Sequence, residues 1–256
     1  LVSLVLARID WSLALAVWWR NLTVYRRTWV MNLFPNFFEP VLYLVGLGIG
    51  LGVYVTQGWE GTLPYLGFVA PGLVAASAMN GATFETTYNV FVKLHFGKLY
   101  DAYTCTPAQA KDVVAGEMLW AVTRALIYGS CFLVILGLLA AAGEPVLTSW
   151  TAIFLPLWLI LFGWVFSLIG LLYSALIKTI DLYSYFYSLF LTPLFLFSEI
   201  FFPLDRIPYG DAIAACTPLY HCVHLARDFA HGTIDLLPLL GHTGYLLGLG
   251  LILAWL

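Results

Sequence analysis

Four side chains in the run TPLYHCVHLARDFAHG share one helical face, because His221, His224, Asp228 and His231 fall at i, i+3, i+7 and i+10. The first three, two imidazoles and a carboxylate, are so spaced that they could hold a transition metal. The H-E-x-x-H pattern is absent and no further ligand cluster accompanies them. The expectation is therefore no metal, with the histidines meeting headgroups, water or a sugar. A second set is charged. Glu85, Glu117 and Arg124 lie in or beside otherwise apolar stretches, with Glu117 two turns before Arg124 on the same face. A charge at such depth normally finds a partner or an aqueous cavity. Arg124 is expected to pair with Glu85 or Glu117, either at the inner mouth of a pathway or as a packing contact that never meets cargo. A third set is aromatic: in LYSYFYSLFLTPLFLFSE, Tyr183, Tyr187 and Phe190 suit sugars and lipid chains, and equally interfaces and helix packing. No G-x-S-x-G elbow and no G-x-x-x-x-G-K-[ST] loop occurs. No catalytic residue is expected, and the chain does not hydrolyse ATP by itself.

The elements that must hold these groups are built for lipid. Hydrophobic residues fill 62% of 256 positions and charged residues 10%, where a soluble domain carries about 25% charged. Charge-free windows at 40–59, 61–84, 125–143, 145–177, 182–198 and 236–256 each supply, or nearly supply, the roughly 20 apolar residues of a crossing helix. The expected fold is an all-α membrane protein with six transmembrane helices. Continuous apolar runs without period-two alternation exclude a barrel. With the N-terminus inside, Arg8, Arg20, Arg26, Arg27, Lys93, Lys98, Lys111 and Lys178 fall inside, and only Arg206 and Arg227 outside. That bias places both termini in the cytoplasm. A net charge of −3 offers no basic surface to nucleic acid.

Three segments differ from plain spans. In residues 8–30, Trp11, Leu15, Trp18, Leu22, Tyr25 and Trp29 recur every three or four positions, opposite Arg20, Thr23 and Arg27. This predicts an N-terminal interfacial amphipathic helix over 1–31, the rival being a helix packed on a partner subunit. Asn32 to Pro40 is then expected to turn the chain into the first span. The polar segment 93–112 is expected to hold a short amphipathic helix ending before Pro107, read either as a solvated connector or as a docking surface. In 200–231, Pro203, Pro208 and Pro218 interrupt an apolar run. The expectation is an outer re-entrant helical hairpin before the last span, with Pro218 in the first turn of its second helix.

The run FFPLDRIP, followed by TPLYHCVHLARDFAHG, resembles the segment before the last span of the ABC-2 type exporter permeases, most like their nodulation lipo-oligosaccharide branch. GKLYDAYTCTPAQAKDVVAGEMLW resembles that family's first cytoplasmic loop. The likeness extends over nearly the whole chain. It implies an ABC-2 type transmembrane domain over 32–256, in the bacterial inner membrane. It also implies a second copy of the chain as partner, and two separate ABC ATPase subunits carrying the ATP and Mg. The coupling residues would be Leu94, His95, Phe96, Gly97, Lys98, Leu99, Tyr100, Asp101 and Tyr103. The re-entrant gate would comprise Phe201, Phe202, Pro203, Pro208, Pro218 and His221. The function implied is outward movement of an amphipathic glycolipid or lipo-oligosaccharide. The rivals are a permease for a hydrophobic drug-like molecule, an ATP-independent channel, and a membrane enzyme acting on lipid through the outer histidines.

Overall fold

The computed structural model describes residues 9–51, 64–204 and 208–256, and every regular element among them is helical. Helix α1 runs Trp11–Tyr43 and widens into a π-helical stretch, Leu44–Leu51. Helix α2 spans Tyr65–Phe96, α3 Leu99–Thr104, α4 Ala110–Ala141 and α5 Trp150–Leu176, the last opening with a 3-10 turn. Helix α6 is Leu182–Leu196, α7 Gly210–Ala215, α8 Pro218–His231 and α9 Leu236–Trp255.

Among the described residues four helices, α2, α4, α5 and α9, are long and apolar enough to cross a membrane. Of the other expected windows, 182–198 yields only the shorter α6, and 40–59 lies partly outside the described residues.

Helix α2 is the axis of the bundle, and its composition explains why. Ala70, Gly72, Ala75, Ala76, Ser77, Ala78, Gly81 and Ala82 leave it thin, so α4, α5 and α8 close on it from several sides. Val69 through Met79 are all buried. Thr83, Thr86 and Thr87 then turn their hydroxyls back onto the carbonyls of Met79, Ala82 and Thr83. That competition with the backbone ladder loosens the helix, which widens to π geometry at Glu85–Asn89 and again at Val92–Phe96. At the first widening the Thr86 carbonyl accepts from Ser174 Oγ of α5 at 2.6 Å. Helix α2 thus continues well past residue 84, where the apolar window ends.

Helix α1 departs from the sequence reading in one way. It passes through Asn32–Pro40 as a helix rather than a turn. Proline removes a backbone donor but need not redirect the chain. The segment is supported by Asn32 Nδ2 donating to Thr28 O at 2.9 Å and by Phe34 stacked on Phe38, 5.1 Å between ring centres. Its aromatic stripe is divided: Trp18 and Tyr25 turn toward α4, Trp18 Nε1 donating to Thr123 Oγ1 at 2.9 Å and Tyr25 meeting Trp120 with ring centres 5.4 Å apart. Ala14, Val17, Asn21 and Tyr25 are buried against α4, while Trp11, Trp19 and Trp29 remain more than half exposed at 55%, 56% and 52%. Gly116 of α4 decides this: a methyl group there would come within 2.6 Å of Ala14 O and 2.7 Å of Val17 Cβ. The backbones approach so closely there that only small residues of α1 fit. Asp112 fastens the seam, accepting from Gln109 N in the α4 capping box and from Asp10 N at 2.9 Å.

Within 200–231 two short helices form, α7 and α8, with Thr217 preceding Pro218 at the start of α8. Asp205 and Arg206 of that segment lie outside the described residues. One face of α8 packs on α2, α5 and α9, burying Leu219, Cys222, Val223, Leu225 and Ala226. It closes one end of the bundle; α3 marks the other.

Candidate functional site

At the α3 end, the π-widened turn of α2 aims Glu85, Asn89 and Lys93 along one face, and α4 presents Glu117 and Arg124 opposite them. Lys93 Nζ lies 2.8 Å from Glu85 Oε1 and 2.7 Å from Glu117 Oε2. Arg124 Nη1 lies 3.2 Å from Glu85 Oε2. Asn89 Nδ2 donates to Glu85 Oε2 at 2.7 Å, and Asn21 Nδ2, from α1, donates to Glu117 Oε2 at 3.0 Å. Side-chain exposure is 2% for each glutamate, 3% for Arg124 and 15% for Lys93. Arg124 also donates to the Tyr128 hydroxyl, which donates to Asn32 O of α1, and its guanidinium lies over the rings of Tyr25 and Tyr128 at 4.9 and 4.8 Å. Two cations and two carboxylates sum to zero. Three helices, α1, α2 and α4, are pinned to one another through this knot.

Of the two pairings the sequence left open for Arg124, the structure has the one with Glu85; Glu117 instead takes Lys93 and Asn21. Such a knot is costly to bury and costlier to break in part, since a lone charge would remain in a poorly solvated interior. It therefore holds one relative position of the three helices and resists intermediate ones.

Directly beyond the knot lies the bend carrying the residues for which the family resemblance implies a coupling role. Leu94, His95 and Phe96 belong to the last turn of α2, not to the short helix, which begins at Leu99. Gly97 and Lys98 join the two, and Lys98 has φ 45°, a left-handed conformation that a non-glycine residue rarely adopts. Phe96 is 70% exposed, and Leu94, Asp101 and Ala102 also face outward, whereas the hydroxyls of Tyr100 and Tyr103 are shut away from solvent.

At the α8 end, a histidine network forms that α8 alone does not contain. His221 Nε2 donates to Ala215 O at 2.9 Å, which leaves its Nδ1 to accept from Nδ1–H of His242 in α9 at 2.7 Å. His224 Nε2 meets Glu199 Oε2 at 3.0 Å, and His224 stacks on His242 with ring centres 5.2 Å apart. His231 Nε2 donates to Gly67 O at 2.9 Å, and Thr148 Oγ1 approaches its Nδ1 at 3.0 Å. Asp228 joins none of these rings; Thr233 Oγ1 donates to it at 3.3 Å. Burial depresses the pKa of His221 and of His231. Arg227 lies over the Phe68 ring at 3.8 Å and donates to Glu199 O at 2.8 Å. No group among the described residues has a metal-holding arrangement. The face-sharing quartet of the sequence reading thus splits, and His242, from another helix, replaces Asp228 and His231 beside His221 and His224.

The residues expected to form a gate divide as well. Phe201 is buried against Phe195 and Tyr43, at 5.1 and 5.9 Å between ring centres, and Pro218 and His221 are buried, while Phe202, Pro203 and Pro208 are exposed. Of the aromatic trio, Tyr183 is fully buried with its hydroxyl on Ser174 Oγ at 2.8 Å, and Phe190 is 40% exposed. Tyr187, held by Thr87 at 3.0 Å, lines a cleft of about 310 Å³ between α1, α2 and α6, with Glu39, Tyr43, Asn80, Phe84 and Phe195. The cleft pairs an aromatic wall with a carboxylate and an amide, a combination suited to an amphipathic molecule.

The ABC-2 type transporter family model matches residues 12–229. The chain is 35% identical over 83% of its length to nodulation protein J of Rhizobium leguminosarum bv. viciae, covering 80% of that protein. It is 36% identical over 86% of its length to the bv. trifolii protein of the same name, covering 83% of it. To the inner membrane transport permease YadH of Escherichia coli K12 it is 25% identical over 88% of its length, covering 84% of that protein. The chain belongs to the ABC-2 type transporter family, and is a membrane transport component rather than an enzyme.

Proposed function

We propose that this ABC-2 chain is the transmembrane subunit of an ATP-driven exporter that moves an amphipathic glycolipid or lipo-oligosaccharide out of the cytoplasm. It works as a homodimer in the bacterial inner membrane, bound to two ABC ATPase subunits that carry the ATP and Mg. The α3 end faces the cytoplasm with both termini. Residues 40–59 and 182–198 complete six spans, the N-terminal tryptophans sit in the headgroup zone, and 200–231 re-enters the outer leaflet as a gate.

One observation carries the reading: the charged knot lies immediately behind the α3 bend. Permeases of this family work with ABC ATPase partners, and a partner pressing on exposed Phe96, Leu94, Asp101 and Ala102 would push against a neutral block joining α1, α2 and α4. The cleft beside Tyr187, bounded by two of those helices, supports a path for the cargo. The glycolipid cargo rests on the likeness to nodulation protein J together with the cleft's aromatic and polar lining.

The test is purification from the native host, followed by reconstitution in proteoliposomes. An ABC ATPase should co-purify, and Phe96→Ala should loosen it and cut ATP-dependent export of a fluorescent glycolipid at least tenfold. Stable isolation without an ATPase, and no nucleotide-dependent transport, would overturn the reading.

A further inference from the structure

Three polar atoms between α3 and α4 are shielded from solvent without a hydrogen-bonding partner: Tyr100 OH, Tyr103 OH and Glu117 Oε1. They belong to one neighbourhood. Burial raises the pKa of Tyr100, and the Glu117 carboxylate, near its hydroxyl but not in hydrogen-bonding geometry with it, raises it further; burial also raises that of Tyr103, which feels the charges of Arg20, Glu117 and Lys93. The two tyrosine rings stack with centres 6.4 Å apart. Glu117 is lopsided. Its Oε2 takes both Lys93 and Asn21, while its Oε1 has no partner. A buried acceptor beside an unused donor favours any movement that joins them.

A joint for such a movement exists. Helix α3 hangs from Gly97–Lys98, and the left-handed Lys98 at φ 45° is a conformation of the kind retained at switch points. Tyrosine is also an odd choice for the inner side of a short surface helix unless its hydroxyl is used, since phenylalanine would fill the same space without burying a polar atom.

We propose that Tyr100 is a positioning residue for energy coupling: an inward swing of α3 about Gly97–Lys98 closes its hydroxyl onto the free oxygen of Glu117, tying the partner-facing bend to the Lys93–Glu85–Arg124 chain. This rests on the exporter reading above. A hydrogen bond to a buried carboxylate present in only one of two positions biases them by roughly 10- to 100-fold. Tyr103 stacks behind Tyr100 and keeps its ring upright.

The experiment is hydrogen–deuterium exchange of segment 99–104 in the permease–ATPase complex, with and without ATP. ATP is expected to protect that segment roughly tenfold in the natural protein. Tyr100→Phe keeps the ring and should retain the ATPase but lose most of that protection. Glu117→Gln should lose it too, and the double variant should be no worse than either single one, as for two ends of one bond. Exchange of 110–120 serves as the folding control. Should Tyr100→Phe fail that control, Tyr100→Met with Glu117→Gln completes the same comparison. Full protection in Tyr100→Phe, or additive losses, overturns the latch and leaves the exporter intact. A natural protein that brings no ATPase overturns both.

Discussion

Replacing Lys93 by methionine is the most searching perturbation of the charged knot. The lysine contacts Glu85 and Glu117 at 2.8 and 2.7 Å and is only 15% exposed. Methionine keeps the length and apolar stem of the side chain, so the loss is almost purely electrical. Glu85 retains Arg124 at 3.2 Å and Asn89 at 2.7 Å, but Glu117 is left with Asn21 alone. Removing one member of a buried pair costs about 3–5 kcal/mol because an uncompensated charge stays behind. For a chain of this size that lowers the thermal transition by on the order of 10 °C. Glu117→Gln, added to Lys93→Met, removes that stranded charge and returns the cluster to neutrality as a Glu85–Arg124 pair. The double variant should therefore be more stable than Lys93→Met alone, recovering about half of the loss or more. The assay is thermal unfolding of the four proteins in one detergent, followed by intrinsic tryptophan fluorescence. If the double variant is as unstable as the two single losses added together, the cluster is not an electrostatically coupled unit and the account of it fails.

Other consequences follow from single contacts. Gly170→Ala sets a methyl 2.0 Å from Thr86 Oγ1, so α2 and α5 must separate, at a cost of about 1–3 kcal/mol; Thr86→Ala in the same chain should recover most of it, as measured by unfolding temperature. Acid should weaken the α8 end. His221 binds a proton less readily folded than unfolded, so stability falls as the pH drops below about 6.5 toward its lower folded pKa. Asp228, with its pKa raised by burial, opposes this at lower pH, so the check is the difference between the natural protein and His221→Asn. That variant should flatten the slope between pH 7.5 and 5.5, and an unchanged slope would count against the His221–His242 link. At the α3 joint, Lys98→Gly should leave the unfolding temperature unchanged or slightly higher, because glycine accepts φ 45° freely. Lys98→Val should cost about 1–2 kcal/mol of stability, seen as a lower unfolding temperature.

The membrane class and the windows of α2, α4, α5 and α9 were legible in the sequence, because lipid demands long runs without charge and nothing else in a chain mimics them. The contents of the knot were only half legible. Lys93 reads as one more loop lysine when the span is ended at residue 84, yet Glu85, Asn89 and Lys93 repeat at i, i+4 and i+8, the spacing of neighbours on one helical face. That repeat was the available signal. The contact face of α1 was less legible, because Ala14 and Val17 opposite Gly116, small residues that draw no notice in a sequence, set how near the two helices come. His242 gave no local sign, since it joins His221 from a separate helix and only packing makes them neighbours.

The balance of charge among Glu85, Lys93, Glu117 and Arg124 also bears on voltage. One elementary charge crossing a membrane potential gains or loses about 2.3 kcal/mol per 100 mV, but a group whose charges cancel moves through the field without electrical work. However far that block is carried, the resting potential neither assists nor resists it, and neutralising Lys93 alone would make its motion answer to the membrane's own electric field.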